Sequence, residues 1–354
     1  MPTLLCTGCS SGLGLQALRQ LYSHAPSSTS ATSSNWRLII GARDVAATQA
    51  KLATVVPSDG PKAQVLHLDL ESFESVRTFS DQVKLLVEEE ATDSQQKART
   101  QSEAPEREGI QCILLNAAVY TAKFEAAQGG WCKEAIVNTF SQHLLLHLVS
   151  PLLKPTSLIP HPRVIVTSSG LHTKIPASSI PSLPMTLKSP STSSMERYRA
   201  TKFTQMANAH HWKSNLKTHD VDVVAISPGF VPTSGLNRQS SVWARFFLRW
   251  ILWWFPFVST DEQGKSSTFR VHEYGNGRAH QNSAIPPLFT AENDTQAQVE
   301  DPPVSKWLKE ARSDDGVLYV DVHGKRIDPH PAMLEQGRSL WNEWAPSAKT
   351  MLAW

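Results

Sequence analysis

Cysteine and charge are the scarce features of this 354-residue chain: it has 4 cysteines, and charged residues make up 19%. Four thiols are too few for a disulfide scaffold. Cys6 and Cys9 have the C-x-x-C spacing of a metal or redox site, but Cys112 and Cys132 stand far apart and form no second pair. Cys6 and Cys112 fall in apolar runs, where a thiol acts as a small hydrophobe, so a reduced, intracellular protein is expected. A net charge of +2 gives no electrostatic ground for a nucleic-acid partner. No motif recurs at the period of a solenoid. No apolar stretch reaches the ~20 residues that span a bilayer, and the N-terminus lacks the charged leader and apolar core of a signal peptide. A cytoplasmic location is the expectation.

Apolar residues, by contrast, make up 40% of the chain, enough for a large core, and they recur in order. Short apolar runs at 4–7, 36–41, 65–70, 112–117, 163–168, 221–227 and 316–320 alternate with helical patterns over 15–22, 45–54, 73–90, 131–153 and 198–216. Runs apolar on both faces, separated by helices, predict an α/β fold: a Rossmann-type, doubly wound parallel sheet of about seven strands with helices on both faces. Three polar stretches interrupt the pattern: the Ser/Thr-rich 23–35, the charged 88–109, and 176–194, where serine mixes with proline. Each has little apolar material to bury, so all three are expected as surface loop insertions of a single domain spanning 1–354.

Two local patterns carry chemistry. The first apolar run is followed by Gly8-Cys9-Ser10-Ser11-Gly12-Leu13-Gly14 and then by an amphipathic helix. A strand, a glycine-rich turn and a helix N-terminus make a phosphate cradle: the backbone approaches the anion where no Cβ intervenes, and N–H groups and the helix dipole face it. Tyr198 and Lys202 form the second pattern. At i and i+4 they share a helix face, where an ammonium beside a phenol would stabilise the phenolate and bring its pKa down from near ~10. Tyr-x-x-x-Lys alone is common on surface helices. Its weight comes from the glycine turn and from Thr167-Ser168-Ser169, which ends the run upstream.

Together these motifs resemble the short-chain dehydrogenase/reductase superfamily, over nearly the whole chain. Asn116-Ala117-Ala118 follows the fourth run, where the family has Asn-Ala-Gly, and Asn138 falls on the next helix, where the family keeps an active-site asparagine. Pro228-Gly229 and Thr233 follow the sixth run, where the family clasps the nicotinamide and pyrophosphate. Within the superfamily the chain looks most like the branch of protochlorophyllide reductases, retinol dehydrogenases and reductases of fungal secondary-metabolite clusters, through Gly41-Ala42-Arg43-Asp44, residues 66–77 and residues 116–120. Phe230 stands where the protochlorophyllide enzymes place a functional cysteine, which argues against photoreduction.

The resemblance implies hydride transfer between a nicotinamide and a carbonyl carbon. Tyr198 would protonate the developing alkoxide, Ser169 (with Ser168 as its rival) would hold the carbonyl oxygen, and Lys202 would lower the tyrosine pKa and bond the nicotinamide ribose. Asn138 would steady a water leading from Lys202 to solvent. The cofactor contacts implied are Gly8, Ser10, Ser11, Gly12, Leu13, Gly14, Arg43, Asp69, Leu70, Asn116, Ala117, Ala118, Tyr198, Lys202, Pro228, Gly229, Val231 and Thr233.

In a dinucleotide fold the end of the second strand meets the adenosine ribose; an acid there bonds the 2′-hydroxyl and an arginine pairs with a 2′-phosphate. Arg43 therefore favours NADP(H). The alternative has Asp44 on the ribose and Arg43 stacked on adenine. His143 and His147 have the i, i+4 spacing of helical metal ligands, but a packed helix face is the expectation, and no metal. Residues 242–257 concentrate Trp243, Phe246, Phe247, Trp250, Trp253, Trp254, Phe255 and Phe257, interrupted by Arg245 and Arg249. The family carries its substrate lid here, so the segment reads as an aromatic lid, with peripheral contact to a membrane surface as the second reading and core packing as the third. The function expected is NADP(H)-dependent reduction of a ketone on a bulky apolar, polyketide-like substrate. A steroid- or retinoid-type alcohol dehydrogenase and a cofactor-binding regulator without turnover are the alternatives, and an intact Ser/Tyr/Lys set argues against the last. The sequence sets no oligomeric state.

Overall fold

β1 (Thr3–Thr7) pairs in parallel with β2 (Arg37–Ala42) on one side and with β4 (Cys112–Leu115) on the other. β3 (Ala63–His67) extends the sheet beyond β2, and β5 (Arg163–Thr167), β6 (Asp222–Ile226) and β7 (Leu318–Val320) extend it beyond β4. The order is β3-β2-β1-β4-β5-β6-β7, all parallel. The computed structural model describes residues 2–23, 36–56, 63–101, 109–157, 159–216, 220–228, 317–320, 326–328, 330 and 333. Strands β1, β2, β4, β5 and β6 are buried at every position, which is why they read as unbroken apolar runs rather than alternating ones.

Helices cover both faces. Leu4, Cys6, Leu38 and Ile40 point to the face of α1 (Gly12–Ser23) and α2 (Val45–Leu52); Leu5, Ile39, Ile113 and Val164 point to the face of α3 (Phe73–Gln101), α5 (Ser141–Val149) and α7 (Ser194–Leu216). The chain leaves β1 for β2 in one direction across the sheet and leaves β4 for β5 in the other. The crevice at the carboxyl ends of β1 and β4 is therefore the switch point where open α/β sheets bind ligands.

Three expectations change. The charged stretch from residue 88 is no loop as far as Gln101, because α3 runs through it; Glu, Gln, Lys and Arg are good helix formers that need no core to pack against. The stretch 176–194 is not purely a surface insertion either. It folds into a 3₁₀ turn (Ala177–Ser182) and α6 (Leu183–Thr186), and Ile180, Leu183 and Leu187 join the core. The helix expected over 131–153 is broken into α4 (Lys133–Ala135), a π-helical turn (Ile136–Phe140), α5 and a 3₁₀ turn (Ser150–Leu152). Among the described residues no helix is long and apolar enough to cross a membrane. Gly229, Phe230, Val231, Thr233, the aromatic segment 242–257 and most of 23–35 lie outside the described residues.

Candidate active site

The turn after β1 is shaped by missing side chains. Gly8 has φ +68°, and a Cβ on it would lie 2.6 Å from Ala117 Cα; a Cβ on Gly14 would lie 2.5 Å from the Gly8 carbonyl oxygen. Gly12 has φ +57° and opens α1. Side chains at Gly8 and Gly14 would collide with the segment after β4 and with the turn itself, so glycine lets the turn close tightly ahead of the α1 N-terminus, a shape that fits the phosphates of a dinucleotide. Its floor is tied to the next strand. Thr7 Oγ1 accepts from the N–H groups of Asn116 and Ala117, each at 3.2 Å, and Asn116 Nδ2 donates to the Gly8 carbonyl at 2.9 Å. Thr167 Oγ1 donates to Asn116 Oδ1 at 3.1 Å and carries the network on to β5.

At the adenosine end, Asp44 turns its carboxylate onto Ala47 N–H at 2.9 Å and caps α2. That is the ordinary work of an N-cap aspartate, and it weakens the alternative in which Asp44 takes the ribose. Arg43 is exposed, at 3.5 Å from Glu71, whose carboxylate is held more closely by Lys133 at 2.9 Å. Lys51 adds a second cation nearby, with Nζ at 3.3 Å from the Ser10 carbonyl. Asp69 turns Oδ1 onto Glu71 N–H. Leu70 is a core residue whose carbonyl accepts from Ser141, so its side chain is not a cofactor contact.

The catalytic candidates converge on the end of β5. Lys202 is 1% exposed, and its ammonium donates to the Thr167 carbonyl at 3.0 Å and to Gln205 Oε1 at 2.9 Å. Its Nζ lies 5.7 Å from the Tyr198 ring centroid. Two residues on from Thr167, Ser169 is half-buried, and its Oγ accepts from Leu171 N–H at 3.3 Å. That geometry leaves the hydroxyl proton for a carbonyl oxygen. Ser168, its rival, is buried away from the surface. His172, also buried, holds the Ser169 carbonyl through Nδ1 at 2.8 Å. Tyr120 stacks edge-on against Tyr198, centroids 5.6 Å apart, and its hydroxyl meets Ser194 Oγ at 2.8 Å.

Burial raises the Tyr198 pKa and pulls that of Lys202 down to about 7, because desolvation disfavours both charged forms. Asn138 is fully buried, and its side chain is bonded to the backbone of Val119. Its Oδ1 accepts from Val119 N–H at 2.7 Å and its Nδ2 donates to the Val119 carbonyl at 2.9 Å. It pins the segment after Asn116 to the π-helical turn. His143 and His147 do pack as a helix face: Trp212 Nε1 donates to His143 Nδ1 at 2.9 Å and the His147 ring lies 6.2 Å from that indole. Among the described residues no acidic, histidine or cysteine cluster could hold a metal.

Comparison with known proteins bears on this geometry. No family model matches the chain. A short-chain dehydrogenase/reductase of Pestalotiopsis microspora is 32% identical over 241 residues, covering 67% of this chain and 72% of the relative. The chain belongs to the short-chain dehydrogenase/reductase superfamily. A short-chain dehydrogenase of Alternaria solani is 26% identical over 279 residues, 77% of this chain and 87% of that one. Among solved structures, the carbonyl reductase Sniffer of D. melanogaster shares the fold, with a TM-score of 0.52 at 14% identity over 93% of this chain and 100% of that one.

As a short-chain dehydrogenase/reductase with fungal relatives, the chain is an oxidoreductase. The described site residues that carry those motifs lie along the carboxyl ends of β1, β4 and β5 and on the face of α7 toward them. Gln205, Gln142, His172 and Lys51 were missed. Gln205 left a signal, because it stands three residues after Lys202 and so shares its helix face. The others depend on contacts made only when distant segments fold together.

Proposed function

We propose that this oxidoreductase reduces a ketone on a bulky apolar substrate to a secondary alcohol, with NADP(H) as cofactor. The observation that carries the reading is the buried Lys202, which meets no carboxylate among the described residues, one helical turn from Tyr198 and bonded to the strand that delivers Ser169. Gly8, Gly12 and Gly14 with Thr7 and Asn116 would hold the pyrophosphate side, and Arg43 and Lys51 would meet a 2′-phosphate. When bound, the cofactor supplies the hydride that reaches the carbonyl carbon.

This chain's residues do the rest. Ser169 donates its hydroxyl proton as a hydrogen bond to the substrate oxygen and orients the carbonyl. As negative charge grows on that oxygen, Tyr198 transfers its phenolic proton to it, and the carbon–oxygen double bond becomes an alcohol. Tyr198 is protonated at neutral pH, as a tyrosine with a pKa of ~10 or more is, and burial favours that form further. Lys202 stabilises the phenolate left behind and returns a proton to it, which a lysine with pKa near neutrality can do. Exposed Met195, one turn before Tyr198 on α7, offers apolar contact of the kind a bulky substrate needs. The lid assigned to 242–257 completes the reading as an expectation.

The test is NADPH oxidation against a panel of aromatic and alicyclic ketones. Wild type should turn over at least one, and Tyr198→Phe should bind NADPH unchanged yet turn over ~10²–10⁴-fold more slowly. Turnover by Tyr198→Phe at the wild-type rate would remove the tyrosine from the mechanism.

A further inference from the structure

Between α5, α7 and the sheet lies a cavity of about 20 Å³ in which the centre of a water molecule can sit. Strands β4, β5 and β6 give it an apolar floor, while Asn138, Gln142, His143, Gln205 and Asn208 line it from the helices. Two of these side chains point to an occupant. Gln142, 3% exposed, donates from Nε2 to the carbonyls of Ala117 and Val137, and its Oε1 has no hydrogen-bond partner. Gln205, 4% exposed, accepts Lys202 on Oε1, and its Nε2 has none either. One orphan is an acceptor and the other a donor, and both belong to residues on the same cavity. Each such buried group left unmade costs about 1–3 kcal/mol, and one water bonded to both removes that cost.

The second observation is the geometry of the ammonium. It has three N–H donors. Thr167 takes one from the strand side and Gln205 takes another from the helix, which leaves the third for the site that holds Tyr198. Without Gln205 the four-carbon stem would be fixed at one point only.

We propose that Gln205 is the positioning residue for Lys202: steadied by a buried water shared with Gln142, its side-chain oxygen aims the ammonium at the cofactor site while adding no charge. The inference rests on the role given to Lys202 above and explains how a buried lysine stays aimed without a carboxylate. A glutamate here would lock the proton on the lysine; a neutral amide bonds either form. The groups packed against the network agree. Tyr198 faces it from the same helix, His143 from α5, and β5 contributes only the Thr167 carbonyl. Burial then leaves Lys202 with a pKa of about 7.

The test is NADPH affinity from nicotinamide fluorescence between pH 6 and 9 for four proteins: wild type, Gln205→Met, Gln205→Glu and Lys202→Met. Wild-type binding weakens as pH rises through the lysine titration, because the amine carries no charge for the cofactor; titration of the cofactor's own phosphate is common to all four curves. Gln205→Met, similar in size but without the acceptor, raises the Kd at pH 7 by about tenfold or more, the worth of a hydrogen bond to a charged group. Gln205→Glu keeps the acceptor and moves the midpoint upward by about one unit or more, as an adjacent opposite charge does. Lys202→Met removes the lysine-dependent change. If both Gln205 curves overlie the wild-type curve while the Lys202→Met curve loses that change, the proposal is wrong and the lysine's role stands. If the Lys202→Met curve also overlies the wild type, the reading of the lysine falls and Gln205's role falls with it.

Discussion

Arg197 and Lys202 sit on consecutive turns of α7, both almost wholly buried, and they live in opposite surroundings. Arg197 is 2% exposed, meets Glu134 at 3.3 Å and donates to the carbonyls of Thr192 at 2.7 Å and Thr121 at 3.0 Å. Its charge is matched and its fork of donors is well filled, so it acts as a strut joining the start of α7 to α4. Among the described residues Lys202 meets two neutral oxygens and no carboxylate, and burial drags its pKa to about 7. A buried cation with a carboxylate holds a fold together. One without a carboxylate sits close to losing its proton, which is useful only where a proton must move.

The sharpest way to break this contrast is to truncate both cations. Lys202→Met should lower turnover by the ~10²–10⁴-fold typical of disabled acid–base machinery while leaving the denaturation midpoint unchanged or higher, since a buried charge without a partner is removed. Arg197→Met should do the reverse, destabilising the protein by about 3–5 kcal/mol because Glu134 is left buried and uncompensated; Arg197→Met combined with Glu134→Leu should recover much of that loss. Chemical denaturation with parallel rate measurements separates the two patterns, and a similar stability loss in both single variants would erase the distinction.

Linkage gives a smaller effect with a definite sign. The folded-state pKa of Lys202 lies below its ordinary value, so between about pH 7 and the lysine range near ~10.4 the unfolded chain binds the extra proton. The penalty is full below pH 7 and is relieved as pH rises. Wild type should therefore gain up to about 1.4 kcal/mol per pH unit relative to Lys202→Met across that window. A difference that stays flat from pH 7 to 9 would contradict the depressed pKa.

The last prediction concerns an exposed cation, Arg43. Arg43→Ala should weaken NADPH binding by about tenfold, the worth of a charge-assisted bond, and leave NADH binding nearly unchanged. Equal loss for the two cofactors would show that Arg43 only stacks.

The cofactor end of the molecule was far more legible in the sequence than the proton-handling end. Gly8, Gly12 and Gly14 work through backbone conformation and close approach, within a few residues of the strand that feeds them, so their spacing announced the cradle. Strands β1, β2, β4, β5 and β6 were legible because burial on both sheet faces leaves an unbroken apolar run, whereas the edge strand β3, only partly buried, begins two residues before the run at 65–70. Tyr198 and Lys202 are likewise local to one helix. By contrast, Arg197 meets Glu134 across a sequence separation of 63 residues, and Gln142 reaches Ala117 across 25; neither contact has a local signal. The burial of Tyr198, which raises its pKa, has no local signal either. Proximity to a lysine can be read from i, i+4 spacing, whereas desolvation depends on everything folded around the pair. α3 runs past the expected end at residue 90 to Gln101, because polar residues of good helix propensity continue it without an apolar periodicity.

The account turns on the protonation state of one side chain, and that can be measured. With lysines labelled by ¹³C at Cε, the resonance absent from Lys202→Met can be assigned and followed in wild type from pH 5 to 11 without cofactor. The structure predicts a titration near pH 7, shifted upward in Gln205→Glu. A Lys202 resonance that titrates near ~10.4, as an ordinary lysine does, would contradict a buried proton carrier beside Tyr198.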